Sequence, residues 1–142
     1  MRAIATSNHT LLAGFRHSLR VLDQAIETGA KDADLTVQQQ AFLLSLMARG
    51  ARKVPLADLR ADLSMDQATT SDLLARLTRR RLVTRQSEDD RRALNVSITR
   101  LGRARFQRSV VAIGREVRRA KNSGDLDALQ RNLRAYLAFY TR

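Results

Sequence analysis

A chain of 142 residues with 26 lysines and arginines against 14 acids carries a net charge of +12, and an isoelectric point near 11.6 calls for a polyanionic partner, nucleic acid first and an anionic membrane surface second. The absence of cysteine excludes disulfides, thiolate zinc sites and thiol redox switching. No apolar run approaches the roughly 18 residues a membrane span needs, and with 4 Phe, 2 Tyr and no Trp the core must come from Leu, Val, Ile and Ala, which suits packed helices in one compact domain.

Residues from about 8 to 28 place Leu11, Leu12, Phe15, Leu19, Leu22 and Ile26 at spacings of three and four, one apolar helix face. Gly29 and the polar run Lys31-Asp32-Ala33-Asp34 read as a break. A second helix opens at Leu35-Thr36, with Thr36 as cap and Gln39 at the capping-box spacing. Phe42, Leu43, Leu46 and Met47 form its inner side, and Gly50 ends it.

Val54 adds a short strand and Pro55 sits at the first turn of the next helix, where its missing N–H costs nothing. Leu56, Leu59 and Leu63 face inward there. Ser64-Met65 forms the turn, and Asp66 caps the following helix at the positive end of its dipole. Thr70, Leu73, Leu74 and Leu77 fall on the inner side of that helix. Gln67, Ala68, Ser71, Asp72, Ala75 and Arg79 fall largely on the other side, open to a ligand.

Leu82–Arg85 and Leu94–Ile98 bracket a polar tip, and the second run alternates apolar and polar as a half-buried strand does. Thr99 is placed to cap a long helix with Phe106, Val110, Ile113 and Val117 along it. Gly114 within that helix points to a close helix contact or a bend. Asn122-Ser123-Gly124-Asp125 is a break, and a last helix carries Leu126, Leu129, Leu133, Tyr136, Leu137 and Tyr140.

Helix, tight turn, helix, strand, basic tip, strand, helix is the order of a winged helix-turn-helix, in which one helix enters a DNA major groove and a hairpin reaches along the backbone. Charge follows the same map. Arg76, Arg79, Arg80, Arg81, Arg85, Arg91, Arg92, Arg100, Arg103, Arg105 and Arg108 face only Glu88, Asp89 and Asp90, so this stretch supplies a net +8 of the chain's +12. The expected DNA contacts are Gln67, Ala68, Ser71, Asp72, Arg76 and Arg79 on the second helix and Arg91 and Arg92 on the wing.

These segments resemble the MarR family of bacterial transcription regulators. Leu35-Thr36 with Gln39 resembles the family's second-helix opening. Thr69, Ser71, Leu73 and Leu77 resemble its third and fourth helices. Asp90-Arg91-Arg92 followed by Ile98-Thr99-Arg100-Leu101-Gly102 resembles the wing motif D-x-R and the L-T-x-x-G after it. The resemblance implies a mainly α fold, a single domain over residues 1–142. Helices of about 8–28 and 100–142 would dimerise, and a lobe of about 35–99 would read a pseudo-palindromic operator on double-stranded DNA. It also implies that Arg92 enters the minor groove, that Asp90 braces it, and that a small organic anion binds between the two layers and releases DNA. No ligand-pocket residue carries over. Two positions depart from the pattern. Arg81 stands where the family usually has Gly, at a cost of about 1 kcal/mol if the backbone is left-handed. Asp72 stands where a basic or neutral residue is usual, and an acid facing phosphates is unfavourable.

Plainer readings compete at several positions. Asp90 and Arg92 form at least a surface ion pair, ordinarily worth under about 1 kcal/mol. His9 and His17 stand eight apart, two helical turns of about 5.4 Å each, which leaves no joint metal site and no cofactor. Tyr136 and Tyr140, at i and i+4, suit packing better than a ligand cage. No nucleophile triad, Gly-rich phosphate loop or H-E-x-x-H motif supports an enzyme. The reading is therefore a cytoplasmic, homodimeric, sequence-specific repressor without cofactor or membrane contact. The alternative is an architectural DNA-binding protein with little sequence preference.

Overall fold

A computed structural model describes residues 2–50, 52–87, 93–122 and 124–140; for residues 2–8, 11, 125, 126, 136, 139 and 140 only the backbone is described. Among the described residues six helices and three short strands follow in the order α1 (Arg2–Asp32), α2 (Val37–Arg49), β1 (Val54–Pro55), α3 (Leu56–Leu63), α4 (Gln67–Arg79), β2 (Val83–Ser87), β3 (Leu94–Ile98), α5 (Arg100–Asn122) and α6 (Asp125–Tyr140). The antiparallel sheet has the order β1-β3-β2, with Val54 opposite Val96 and Val83 opposite Ile98. The side chains of Tyr136 and Tyr140 lie outside the described residues.

Two layers result. α1 packs along α5 and α6, while α2, α3, α4 and the sheet enclose the main core. Phe42, Leu43, Leu59, Leu74, Leu77, Leu82, Val54, Val83 and Val96 are all essentially buried there. Phe106 and the foot of α1, at Ala30 and Ala33, join this core and couple the layers.

α1 does not break at Gly29. The helix runs through it to Asp32, because Gly29 lies where α5 crosses. A Cβ there would sit 2.2 Å from Ile113 Cγ1 and 2.9 Å from the Ile113 nitrogen. A close helix contact or a bend was expected at Gly114 instead, where a Cβ would meet only Arg118 Nη1 at an ordinary 3.6 Å. The true stop is at Asp34, which adopts φ +55. The Leu35 N–H donates to the Ala30 carbonyl and the Asp34 N–H to the Lys31 carbonyl, which is a Schellman ending. Pro55 likewise sits one residue earlier than expected, as the last residue of β1 ahead of α3.

α2 opens as expected. Thr36 Oγ1 accepts from the Gln39 N–H, Gln39 Oε1 accepts from the Thr36 N–H, and Gly50 closes the helix at φ +63. Its far end is stapled to α3. Arg49 donates from both Nε and Nη2 to Asp62 at 2.8 Å, and Ser45 Oγ donates to Asp62 Oδ2 at 2.7 Å. The Arg49 guanidinium, then the Ser45 hydroxyl, hold the Asp62 carboxyl down at about 2 from 3.8. A depressed carboxyl stabilises the fold above its unfolded value, and that contribution disappears as pH falls from about 4 to about 2. Asp62→Asn is therefore expected to melt below the wild type at neutral pH, with the gap closing toward pH 2. Thermal melts across that range check it; a gap independent of pH would contradict the staple.

Arg81 has φ +57, so the departure from glycine does fall on a left-handed residue. The Leu82 N–H reaches the Leu77 carbonyl and the Arg81 N–H the Thr78 carbonyl, and both leucines are buried in the main core. α4 thus ends in a Schellman motif with an unsuitable residue at its left-handed position. Arg81→Gly is expected to raise stability by up to about 1 kcal/mol, seen as a rise of roughly 2–4 °C in melting temperature. A lower melting temperature would show that the Arg81 side chain compensates.

Candidate DNA-reading surface

α3, the turn and α4 place the recognition helix. Ser64, at φ +50, reverses the chain, and Asp66 then caps α4 with an extended backbone. Asp66 Oδ1 accepts from the Thr69 N–H at 2.7 Å and Oδ2 from the Thr69 hydroxyl at 3.0 Å. The Thr69 N–H, then its hydroxyl, lower the Asp66 pKa and keep the cap charged. Thr70, Leu73, Leu74 and Leu77 anchor the inner side of α4 in the core. The helix is thereby fixed in rotation, and its outer face is Gln67, Ala68, Ser71, Asp72, Arg76 and Arg79, every one exposed. Ala75 is half-buried at the edge of that face.

This face mixes an amide, a hydroxyl and two guanidiniums, groups that hydrogen-bond base edges or phosphates. Asp72 does not stand alone on it. Its Oδ2 lies 2.9 Å from Arg76 Nη2, an exposed i,i+4 pair. The acid thus neutralises one of the two cations on the face.

Beside α4 runs a groove of about 450 Å³ lined by Pro55, Leu56, Arg60, Gln67, Thr70, Ser71 and Leu94. It separates the recognition helix from the base of the wing. Arg60 is the cation that sequence reasoning missed here. It stands on α3 among inward-facing leucines, and only the folded arrangement brings it to the same groove as Gln67 and Ser71. Asp90, Arg91 and Arg92 lie outside the described residues, so β2 and β3 define the base of the wing alone.

The hairpin base is locked to α5. Thr99 Oγ1 accepts from the Gly102 N–H at 2.9 Å, capping α5, and the Thr99 N–H donates to the Leu82 carbonyl at 3.0 Å. Of the arginines that made this stretch so basic, three are engaged by acceptors near the foot of α1. Arg80 binds Asp34 and Gln39, Arg105 reaches the Ala33 carbonyl and Asp34, and Arg108 pairs with Asp32. Arg80 ties the lobe, and Arg105 and Arg108 tie α5, to the foot of α1. Clustering along the chain overstated the free positive charge, because two acids, Asp32 and Asp34, and the end of α1 meet these arginines in space from 46 to 76 residues upstream.

Among the described residues no group of acids and histidines could hold a metal ion, and no helix is long and apolar enough to cross a membrane.

A family model for a winged helix DNA-binding domain matches residues 37–102, the segment from α2 to the start of α5. The sequence matches none of the curated proteins compared with it. Among solved structures, a MarR family transcription regulator aligns over 99% of this chain and 95% of its own, at 21% identity and a TM-score of 0.74. A mutant MarR from E. coli complexed with operator DNA aligns over 86% of this chain and 89% of its own, at 23% identity and a TM-score of 0.65. BpsR from Bordetella bronchiseptica, whose DNA binding is regulated by 6-hydroxynicotinic acid, aligns over 92% and 98%, at 25% identity and a TM-score of 0.62. Residues 37–102 thus match a winged helix DNA-binding domain, and the chain as a whole has the fold of the MarR family transcription regulators that its motifs resemble.

Proposed function

We propose that this protein is a homodimeric, sequence-specific repressor of transcription that binds a pseudo-palindromic operator. The observation that carries the reading is the outer face of α4. It is a rigidly capped helix whose exposed side chains are Gln67, Ser71, Arg76 and Arg79, on a lobe that matches a winged helix DNA-binding domain. Gln67, Ala68, Ser71, Asp72, Arg76 and Arg79 are assigned to the major groove, Arg91 and Arg92 to the wing contacts, and Asp90 to bracing Arg92. No catalytic role is assigned to any residue, and the protein is taken to work in the cytoplasm.

Dimerisation is supported by the apolar surface left on the terminal helices. Leu12 and Leu19 on α1, Val110 and Val111 on α5, and Leu133 and Leu137 on α6 are between 40% and 61% exposed. Apolar surface of this kind on packed helices marks an interface, and obligate dimers bury roughly 2,000 Å² or more. BpsR is regulated by a small organic acid, and a ligand of that class is the inducer proposed here, bound between the two layers. It would act by favouring a spacing of recognition helices that mismatches DNA.

Selection of bound duplexes from a random pool, with sedimentation of the free protein at low micromolar concentration, tests the reading. A two-fold-related motif and a single dimeric species are expected. A folded monomer, or a pool without enrichment, would overturn it.

Asp72 sharpens the picture. Its pairing with Arg76 means that Asp72→Asn removes a repulsive charge and frees a cation at once. Affinity is expected to rise on every operator of a panel that varies one base pair at a time. A loss confined to operators carrying one particular C·G pair would instead assign Asp72 to a cytosine amine.

A further inference from the structure

We propose that Arg80 is a positioning residue for operator recognition, clamping the C-terminal end of α4 to the foot of α1 and so fixing the angle at which α4 is presented. The inference rests on the operator-binding dimer proposed above.

Arg80 follows the last residue of α4 with an ordinary backbone, φ −79 and ψ 0. Its guanidinium makes three bonds to two acceptor residues. Nη2 donates to the Asp34 carbonyl oxygen at 2.6 Å and to Asp34 Oδ2 at 2.7 Å, and Nη1 donates to Gln39 Oε1 at 2.8 Å. Neither acceptor is loose. Gln39 Oε1 is held by the Thr36 N–H in the capping box of α2. Asp34 is held in a left-handed conformation, its N–H bonded to the Lys31 carbonyl. From the other side, Arg105 on α5 donates to the Ala33 carbonyl at 3.2 Å and lies 3.5 Å from Asp34 Oδ2. The negative end of the α1 dipole thus gathers guanidiniums from α4 and from α5. A planar fork engaged at three points fixes orientation as well as distance, which an ammonium would not.

The clamp sits outside the core. The Arg80 side chain is 32% exposed and the Asp34 side chain 76%, so the pair adds little to global stability. Its effect is geometric. A helix of 13 residues is about 20 Å long, and a tilt of about 5° at one end moves the other by about 1.7 Å, half the rise of a base-pair step. Two recognition helices in a dimer share that tilt, so the clamp governs which half-site spacing fits.

The test uses the full chain and four duplexes: the selected operator, the same half-sites moved one base pair closer, one base pair apart, and an isolated half-site. For Arg80→Gln, affinity for the selected operator should fall about tenfold, a coupling in the ordinary range. The penalty for moving the half-sites should shrink, and isolated half-site affinity should stay within about twofold, roughly 0.4 kcal/mol. Asp34→Gly keeps the left-handed backbone, removes the carboxylate and should show the same pattern more weakly; it carries the test alone if Arg80→Gln does not fold. An unchanged spacing profile would overturn the clamp. So would equal losses on all four duplexes, which would make Arg80 a direct phosphate contact. A wild-type protein with no spacing optimum would overturn the operator reading itself and the clamp with it.

Discussion

Gly102→Ala is expected to lower the stability of the fold by about 3 kcal/mol, near the upper end for a single added methyl. A Cβ at this position would lie 2.0 Å from the Leu82 carbonyl oxygen and 2.9 Å from its carbon. Backbone, not a pliable side chain, blocks it. The Leu82 carbonyl cannot retreat cheaply either, because it accepts from the Thr99 N–H and from the Thr99 hydroxyl, both at 3.0 Å. Leu82 is also the residue that closes the Schellman motif at the end of α4. One methyl therefore disturbs the end of the recognition helix, the base of the wing and the start of α5 together. Urea denaturation should show the midpoint falling by about 1–3 M, given slopes of roughly 1–3 kcal/mol/M. An unchanged midpoint would mean that α5 can shift away from Leu82, and the joint would then not be rigid.

Arg92→Ala is expected to weaken operator binding by about 1–3 kcal/mol for each half-site it serves. The proposed contact lies in the minor groove, where a narrow A·T-rich segment concentrates negative potential and attracts a guanidinium. Losing it from both protomers removes two cations from the complex, so the slope of log affinity against log salt should flatten by about 2. Arg91→Ala should act more weakly and evenly across sequences, as a backbone contact does. Fluorescence anisotropy over a salt series measures both quantities. Equal affinity and slope for wild type and Arg92→Ala would remove the wing arginine from the interface.

Much of the lobe was legible because its signals are local. The Thr36 and Gln39 capping box, the Asp66 cap, the inward leucines of α4 and the Thr99 cap each operate within one helical turn. A glycine is less legible, since the same residue serves a break, a left-handed turn or a close approach. Gly29 looked like punctuation beside a polar run, yet it is a contact with Ile113 more than eighty residues away. Gly114 read as a close contact or a bend, and no close contact is found there, only Arg118 Nη1 at an ordinary 3.6 Å. The arginines show the same limit from the charge side. Nothing next to Arg80 or Arg105 in the chain announces Asp34 and Ala33 as their acceptors, so a run of positive charge read as one surface divides into an unbraced part and a brace to the foot of α1. Arg60 reaches the groove beside α4 for a similar reason, through the fold rather than through its neighbours in sequence.

The central claim is that α4 and the wing read a particular DNA sequence through a two-fold complex. Its most direct test is competition at physiological salt between the selected operator and a scrambled duplex of the same length and composition, with stoichiometry measured in the same titration. The account predicts two chains per operator and a preference of about a thousandfold or more, the lower range for specific DNA-binding proteins. Equal affinity for the two duplexes, with protein covering DNA in proportion to length, would contradict it and make the chain an architectural binder.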